Sequence, residues 1–113
     1  LAWADEAGVN VRFNAGTFDG QHASYSLAWK KDGTKKSNET LFRHWRRQIL
    51  NGVQARRNHP SVMIWELDNE IVYINGRNFG NLDVVEPEFT RTSNETMELD
   101  PTRVTVVGGG SAG

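Results

Sequence analysis

The residues most suited to chemistry follow a short apolar run in the middle of the chain. Val62 to Trp65 is almost wholly apolar, and the next five residues include Glu66, Asp68, Asn69 and Glu70. A core element normally excludes such groups, because burying a charge without a partner is costly. An apolar strand that ends in carboxylates is suited to presenting one of them as a general acid or base. A surface glutamate at a strand end is the competing interpretation of Glu70.

The elements around this run begin with a helix, a glycine and a strand. Residues 1–7 are typical of the last turns of a helix, and Gly8 is a common C-terminal helix signal. Val9 to Phe13 follows directly with strand-forming, partly alternating residues. The connection from 14 to 37 is predicted to be irregular, and loops of this length in compact domains are often functional.

The next helix has the clearest periodicity in the chain. Ser37 or Asn38 can cap its N-terminus, and Pro60 prevents it from continuing. Its apolar residues recur mainly every four positions, which predicts a single buried face: Leu41, Phe42, Trp45, Ile49, Leu50 and Val53. The arginines fall largely on the other side, where we expect a solvated face paired with acidic neighbours: Arg43, Arg46 and Arg47.

Two further strands and one helix complete the pattern. Val62 to Trp65 is predicted to be a strand buried on both faces. Residues 71–88 are predicted to be loop because of their glycines and Pro87, and Phe89 to Leu99 to be a helix. Val104 to Val107 is predicted to be the last strand. This alternation predicts an α/β fold with parallel strands, in which chemistry gathers at the carboxyl ends of the strands.

Composition excludes several classes of function. The 113 residues fit one modest domain, and a formal net charge of -1 gives no general attraction to nucleic acid or anionic membranes. No apolar stretch approaches the roughly 20 residues of a membrane-spanning helix. Cysteine is absent, which excludes disulfides and thiolate metal sites. We expect no cofactor and no metal, and we expect His59 to be a hydrogen-bonded structural histidine beside Pro60, not a ligand or base.

Residues 57–70 resemble the acid/base signature of glycoside hydrolase family 2, the β-galactosidase and β-glucuronidase group. The matching features are an Arg-Asn-His-Pro-Ser lead at 57–61, an apolar strand through Trp65, and the closing Asn69 and Glu70. LAWADEAGVNV at 1–11 is similar to the family's helix and third barrel strand. LDPTRVTVVGGG at 99–110 is similar to its Asp-Pro-Thr-Arg turn and fifth strand.

The resemblance implies a fragment of a (β/α)8 TIM barrel that supplies strands three to five within one partial-barrel domain, residues 1–113. A complete barrel takes about 250 residues, and no segment here matches the seventh strand, which carries the family's nucleophilic glutamate. We therefore expect the chain alone to be incomplete, inactive and poorly folded, with open strand edges. The rest of the barrel, or a homo-oligomer, would complete it.

The resemblance also implies retaining hydrolysis of β-glycosidic bonds in carbohydrates. Glu70 would be the general acid/base, and Asn69 would contact the 2-hydroxyl of the sugar. Asp68 stands where the family usually has glycine, and Phe13 and Asn14 replace an Asp-Glu pair of β-galactosidases. Because of these departures, the resemblance does not predict which sugar is bound.

Further binding candidates lie in the loop that follows the first strand of this chain. Asp19 and His22 are candidates for binding substrate, with a solvated loop as the alternative. Trp29 can stack on a sugar ring or pin the loop to the barrel. Glu66 and Asp68 are expected either to line the pocket or to pair with arginines of the neighbouring helix. A non-catalytic carbohydrate-binding or structural partial-barrel domain is the alternative function.

Overall fold

Helices and strands alternate through the residues that the structure describes. The computed structural model describes residues 1–14, 39–69, 80 and 82–108. In chain order the elements are α1 (Ala2–Ala7), β1 (Val11–Asn14), α2 (Glu39–Arg56), β2 (Val62–Asn69), α3 (Leu82–Leu99) and β3 (Val104–Gly108). The predicted helix cap at Ser37 or Asn38 lies outside the described residues, as does nearly all of the 14–37 connection.

The three strands form one parallel sheet in the order β1-β2-β3. Neighbouring strands therefore follow chain order, and α2 and α3 contribute to one core cluster, which places both helices on the same face of the sheet. A doubly wound sheet reverses its strand order and covers both faces with helices. A singly wound sheet with its helices on one face is the arrangement of a (β/α)8 barrel, and these elements are three consecutive strands of one.

The core lies between the helices and the middle strand. Trp45, Ile49 and Val53 of α2 are buried, which confirms the face predicted from the four-residue repeat. The rings of Trp45 and Phe89 meet edge-to-face with centroids 4.9 Å apart. Trp65 of β2 is fully buried in the same cluster. This packing fixes β2 against both helices and so determines which of its side chains face the other way.

Two predicted boundaries were wrong by more than two residues. Strand β2 continues through Asn69 instead of stopping at Trp65, because its backbone pairs with β1 and β3 at Glu66 and with β3 at Asn69. Helix α3 begins at Leu82 and contains Pro87, within the segment predicted to be loop. Burial of Val85 and Phe89 against the core outweighs the one backbone hydrogen bond that the proline removes.

The first helix ends as its sequence predicts. Gly8 has φ 68° and ψ 27°, and its left-handed conformation lets the cap N–H groups reach the carbonyls of Ala4 and Asp5. The following strand begins at Val11, two residues later than predicted. Of the helices that the structure describes, none combines the length and apolar character needed to cross a membrane.

Candidate active site

The carboxyl ends of the three parallel strands share one edge of the sheet. They are Asn14 in β1, Asn69 in β2 and Gly108 in β3, and the Cα of Asn69 lies beside that of Gly108. The structure thus brings one predicted site residue, Asn69, to the edge where parallel sheets carry their chemistry. Four others lie outside the described residues: Asp19, His22, Trp29 and Glu70.

A charged pair occupies the sheet face opposite the helices. Because Trp65 belongs to the core with the helices, alternation along β2 places Glu66 on the other face. There the Oε2 of Glu66 lies 3.1 Å from the Nε of Arg12 on β1. The Glu66 side chain is 7% exposed and that of Arg12 is 55% exposed. The alternative that paired Glu66 with a helix arginine was wrong, since its partner is on the neighbouring strand.

Arg12 is a site residue that sequence reasoning missed. In a short alternating strand an arginine is expected simply to face solvent, and nothing local indicates a carboxylate 54 positions away. The signal that could have found it is the strand pairing, in which Arg12 lies beside Ile64, two residues before Glu66. Asp68 is also buried, at 2% exposure. Two acidic groups therefore lie within the strand that leads to Glu70.

The register of β2 changes close to the proposed catalytic position. Glu66 pairs with Val106 and Asn69 with Gly108, so β2 advances three residues while β3 advances two. Such bulges are frequent beside active sites, where they redirect the chain. Because of this bulge, the Cα of Asn69 lies only two ladder positions past Glu66, a rise of about 6.6 Å.

The amino end of β2 is held by an acidic residue of α1. Oδ1 of Asp5 accepts a hydrogen bond from the backbone N–H of Ser61 at 2.9 Å, and its Oδ2 lies 2.5 Å from Nδ1 of His59. His59 is therefore a hydrogen-bonded structural residue, as predicted. Ser61, followed by His59, lowers the pKa of Asp5 from its ordinary value of 3.8 to about 2.

Arg103 secures the same end of the strand from the other side. Its guanidinium donates hydrogen bonds to three backbone carbonyls: Nε to Val62 at 2.6 Å, Nη1 to Arg57 at 2.8 Å and Nη2 to His59 at 2.8 Å. The same guanidinium lies over the ring of Trp65, 5.6 Å from its centroid. One side chain from the start of β3 thus fixes the path of residues 57–62.

Asp100, which directly follows α3, connects Trp65 of β2 with Arg103. Its Oδ2 accepts hydrogen bonds from Nε1 of Trp65 at 2.8 Å and Nη1 of Arg103 at 2.7 Å. Thr102 donates to the other oxygen through its backbone N–H and its hydroxyl. Burial raises the pKa of Asp100, but the hydrogen bonds from Thr102, Arg103 and Trp65 outweigh it and lower the pKa to about 2.

The two halves of the 57–70 motif therefore serve different ends of β2. Residues 57–61 are held by Asp5 and Arg103 at the amino end, where they set the position of the strand. Asn69 lies at the carboxyl end, the edge where a substrate would bind. The 57–61 lead therefore serves to position the strand.

The remaining charged groups support structural interpretations. Arg46 on α2 pairs with Glu88 at 3.1 Å and with Glu95 at 3.4 Å, both on α3, as expected for a basic helix face with acidic neighbours. Within residues 1–14, 39–69, 80 and 82–108, no group of three or more His, Asp or Glu side chains could hold a metal ion.

The singly wound parallel sheet, with polar residues at its carboxyl edge, defines a barrel of the (β/α)8 class. The chain belongs to glycosyl hydrolase family 2, whose TIM barrel domain matches residues 1–112. The resemblance found in residues 57–70, and the barrel fold that it implied, are thereby confirmed.

The chain is 28% identical over 82 residues to a putative β-glucuronidase of Formosa agariphila, a match that covers 72% of this chain and 10% of that protein. The match is thus confined to about a tenth of the length of this curated relative. No solved structure matches the chain.

Proposed function

We propose that this chain is a partial-barrel domain, residues 1–113, that carries the general acid/base of a retaining glycosidase acting on β-linked carbohydrates. The observation that supports this most directly is the end of β2. The middle strand of a parallel sheet stops at Asn69, immediately before Glu70 in the sequence, in a chain of family 2. Glu70 is the proposed acid/base.

Retaining hydrolysis needs two carboxyl groups about 5–5.5 Å apart. In the proposed reaction Glu70 donates its proton to the glycosidic oxygen while the nucleophilic carboxylate attacks the anomeric carbon. The bond between that carbon and the leaving oxygen breaks, and a covalent glycosyl intermediate forms. Glu70 then removes a proton from water, which displaces the enzyme carboxylate and releases the sugar with its β configuration retained.

The other proposed roles follow from this reaction. The side-chain amide of Asn69 would hydrogen-bond the 2-hydroxyl, a contact that strengthens as positive charge develops on the sugar. Asp19, His22 and Trp29 are proposed to bind the substrate, with Trp29 stacking on the apolar face of a ring. The nucleophile is proposed to come from another part of the barrel, in the same polypeptide or in a partner copy.

The test is Glu70→Gln in the complete polypeptide that carries these residues, assayed on aryl β-glycosides. Glutamine keeps the shape of the side chain but cannot donate the proton. We expect kcat/KM to fall by about 10²- to 10⁴-fold for leaving groups that need protonation. The loss should be much smaller for dinitrophenyl glycosides, whose leaving group departs without a proton. Azide should restore turnover and yield a β-glycosyl azide, because it attacks the intermediate without a general base.

The matched control is Glu98→Gln, the same chemical change at an exposed position of α3. It should leave the rate and the pH profile as in the unmodified protein. If Glu70→Gln behaves like this control on every leaving group, the proposed role of Glu70 is wrong. Sugar binding without turnover by the unmodified protein would instead favour a carbohydrate-binding domain.

A further inference from the structure

A carboxylate oxygen without a hydrogen-bond partner among the described residues lies on the sheet face opposite the helices. Oε1 of Glu66 is buried and has no hydrogen-bond partner among the described residues. The other oxygen of the same carboxylate is occupied by Arg12. Buried polar atoms in folded proteins nearly always have a partner, so an exception at the centre of a barrel strand requires an explanation. A ligand that donates a hydrogen bond would provide the missing partner.

Arg12 supplies the complementary groups. Its Nε faces Glu66, its side chain is 55% exposed, and the ion pair with Glu66 is its only polar contact within the described residues. The guanidinium therefore has N–H donors without a partner among the described residues, next to a buried carboxylate oxygen that also lacks one. The pair has no net charge. An arrangement of one acceptor and adjacent donors suits a hydroxyl group, which both donates and accepts.

The Glu66–Arg12 pair lies at a distance from the end of β2 that one sugar ring can span. The Cα of Asn69 is two ladder positions, about 6.6 Å, past that of Glu66. A single sugar ring can bridge such a separation, with its anomeric end toward the strand terminus and a hydroxyl toward Glu66. Oε1 of Glu66 can only accept a hydrogen bond, so it suits a hydroxyl of the ring and not a carboxylate, which disfavours a uronic acid group at this oxygen.

We propose that Glu66, held in place by Arg12, determines sugar specificity by accepting a hydrogen bond from one hydroxyl of a neutral sugar ring. This inference rests on the proposed glycosidase function and names the substrate class of the same site. Arg12 donates a hydrogen bond to the oxygen of that hydroxyl. In this proposal Glu66 binds the substrate and Glu70, four residues later in the sequence, is the separate acid/base.

The test combines Glu66→Gln with a series of aryl β-glycosides, each lacking a single hydroxyl. Hydrogen bonds to charged groups are strong enough that kcat/KM should fall roughly 10- to 150-fold on the parent neutral glycoside. On the one glycoside that lacks the recognised hydroxyl, the same substitution should cause almost no further loss. A double cycle of this kind isolates one contact, because a purely structural change would lower the rates of all substrates in parallel.

Arg12→Lys provides a second route that leaves the core untouched, since the Arg12 side chain is half exposed. The loss of kcat/KM caused by Arg12→Lys should disappear on the same deoxy glycoside as the loss caused by Glu66→Gln. Thermal unfolding of each variant shows whether the fold is retained. If both variants lose rate equally on all deoxy substrates, the pair is structural and the inference is overturned. A preference of the unmodified protein for β-glucuronides over neutral β-glycosides would also overturn it.

The two proposals fail in different ways. If Glu70→Gln abolishes proton-dependent hydrolysis while Glu66→Gln and Arg12→Lys match the Glu98→Gln control on every sugar, the glycosidase function stands and the specificity role falls. If Glu70→Gln also matches the control, the proposed function is wrong, and the specificity role that rests on it is withdrawn as well.

Discussion

Replacing Asp100 by alanine should destabilise the protein more than most single substitutions. The Asp100 side chain is 4% exposed and accepts hydrogen bonds from Trp65, Arg103 and Thr102. Alanine would leave the indole N–H of Trp65 buried without an acceptor. It would also remove the only acid that the described residues place beside the Arg103 guanidinium, itself 13% exposed.

The magnitude follows from these contacts. An unsatisfied buried donor costs about 1–3 kcal/mol, and breaking a buried ion pair by removing one partner costs about 3–5 kcal/mol. The two costs overlap, and Arg103 keeps its three carbonyl acceptors. We therefore expect the free energy of unfolding to fall by about 3–5 kcal/mol in total. Folded domains are stable by about 5–15 kcal/mol, so this is a large fraction. The measurement is made on the complete polypeptide that carries these residues, because the partial barrel alone is expected to fold poorly.

The assay is urea unfolding followed by tryptophan fluorescence. Thr102→Val removes one hydroxyl donor to Asp100 and should cost about 1 kcal/mol. Glu98→Gln, on an exposed part of α3, should stay within about 0.5 kcal/mol of the unmodified protein. If Asp100→Ala costs no more than Thr102→Val, the network does not stabilise the amino end of β2 and the reasoning is refuted.

Two other outcomes follow from the same packing. The pKa values of Asp5 and Asp100 are lowered from 3.8 to about 2 in the folded protein, so their stabilisation is complete above about pH 4 to 5 and is lost as the pH falls toward 2. Urea midpoints measured from pH 7 to pH 2 should therefore decline in that window; a flat profile would contradict the shifted pKa values. Ile49→Ala should lower the free energy of unfolding by about 2–5 kcal/mol, because Ile49 is fully buried in the core. A loss below 1 kcal/mol in the same urea assay would mean that α2 does not pack as described.

Local sequence signals predicted the parts of the fold that depend on local physics. The apolar repeat through Trp45, Ile49 and Val53 identified α2, and Gly8 identified the end of α1. Helix periodicity and capping need only a few neighbouring residues, so a short window contains the information. The alternation of elements predicted the parallel sheet, because parallel strands need crossover connections.

The missed features all depend on partners distant in sequence. Strand β2 extends through Glu66 because its backbone pairs there with Asn14 of β1 and Val106 of β3. Pro87 predicts a loop, yet helix α3 includes it because burial of Val85 and Phe89 in the core outweighs the lost backbone hydrogen bond. The position of Asn69 near the carboxyl end of a parallel strand follows from the alternation of elements, whereas the Glu66–Arg12 pair depends on strand register, which no local pattern contains.

The contacts at the amino end of β2 affect how a match to the 57–70 motif should be interpreted. Residues 57–61 are tied to Asp5 and Arg103, contacts that position the strand whether or not the chain hydrolyses glycosides. A match to family 2 in these residues is therefore evidence for the barrel fold. The proposed catalysis has to be tested at Asn69 and Glu70, which take no part in those contacts.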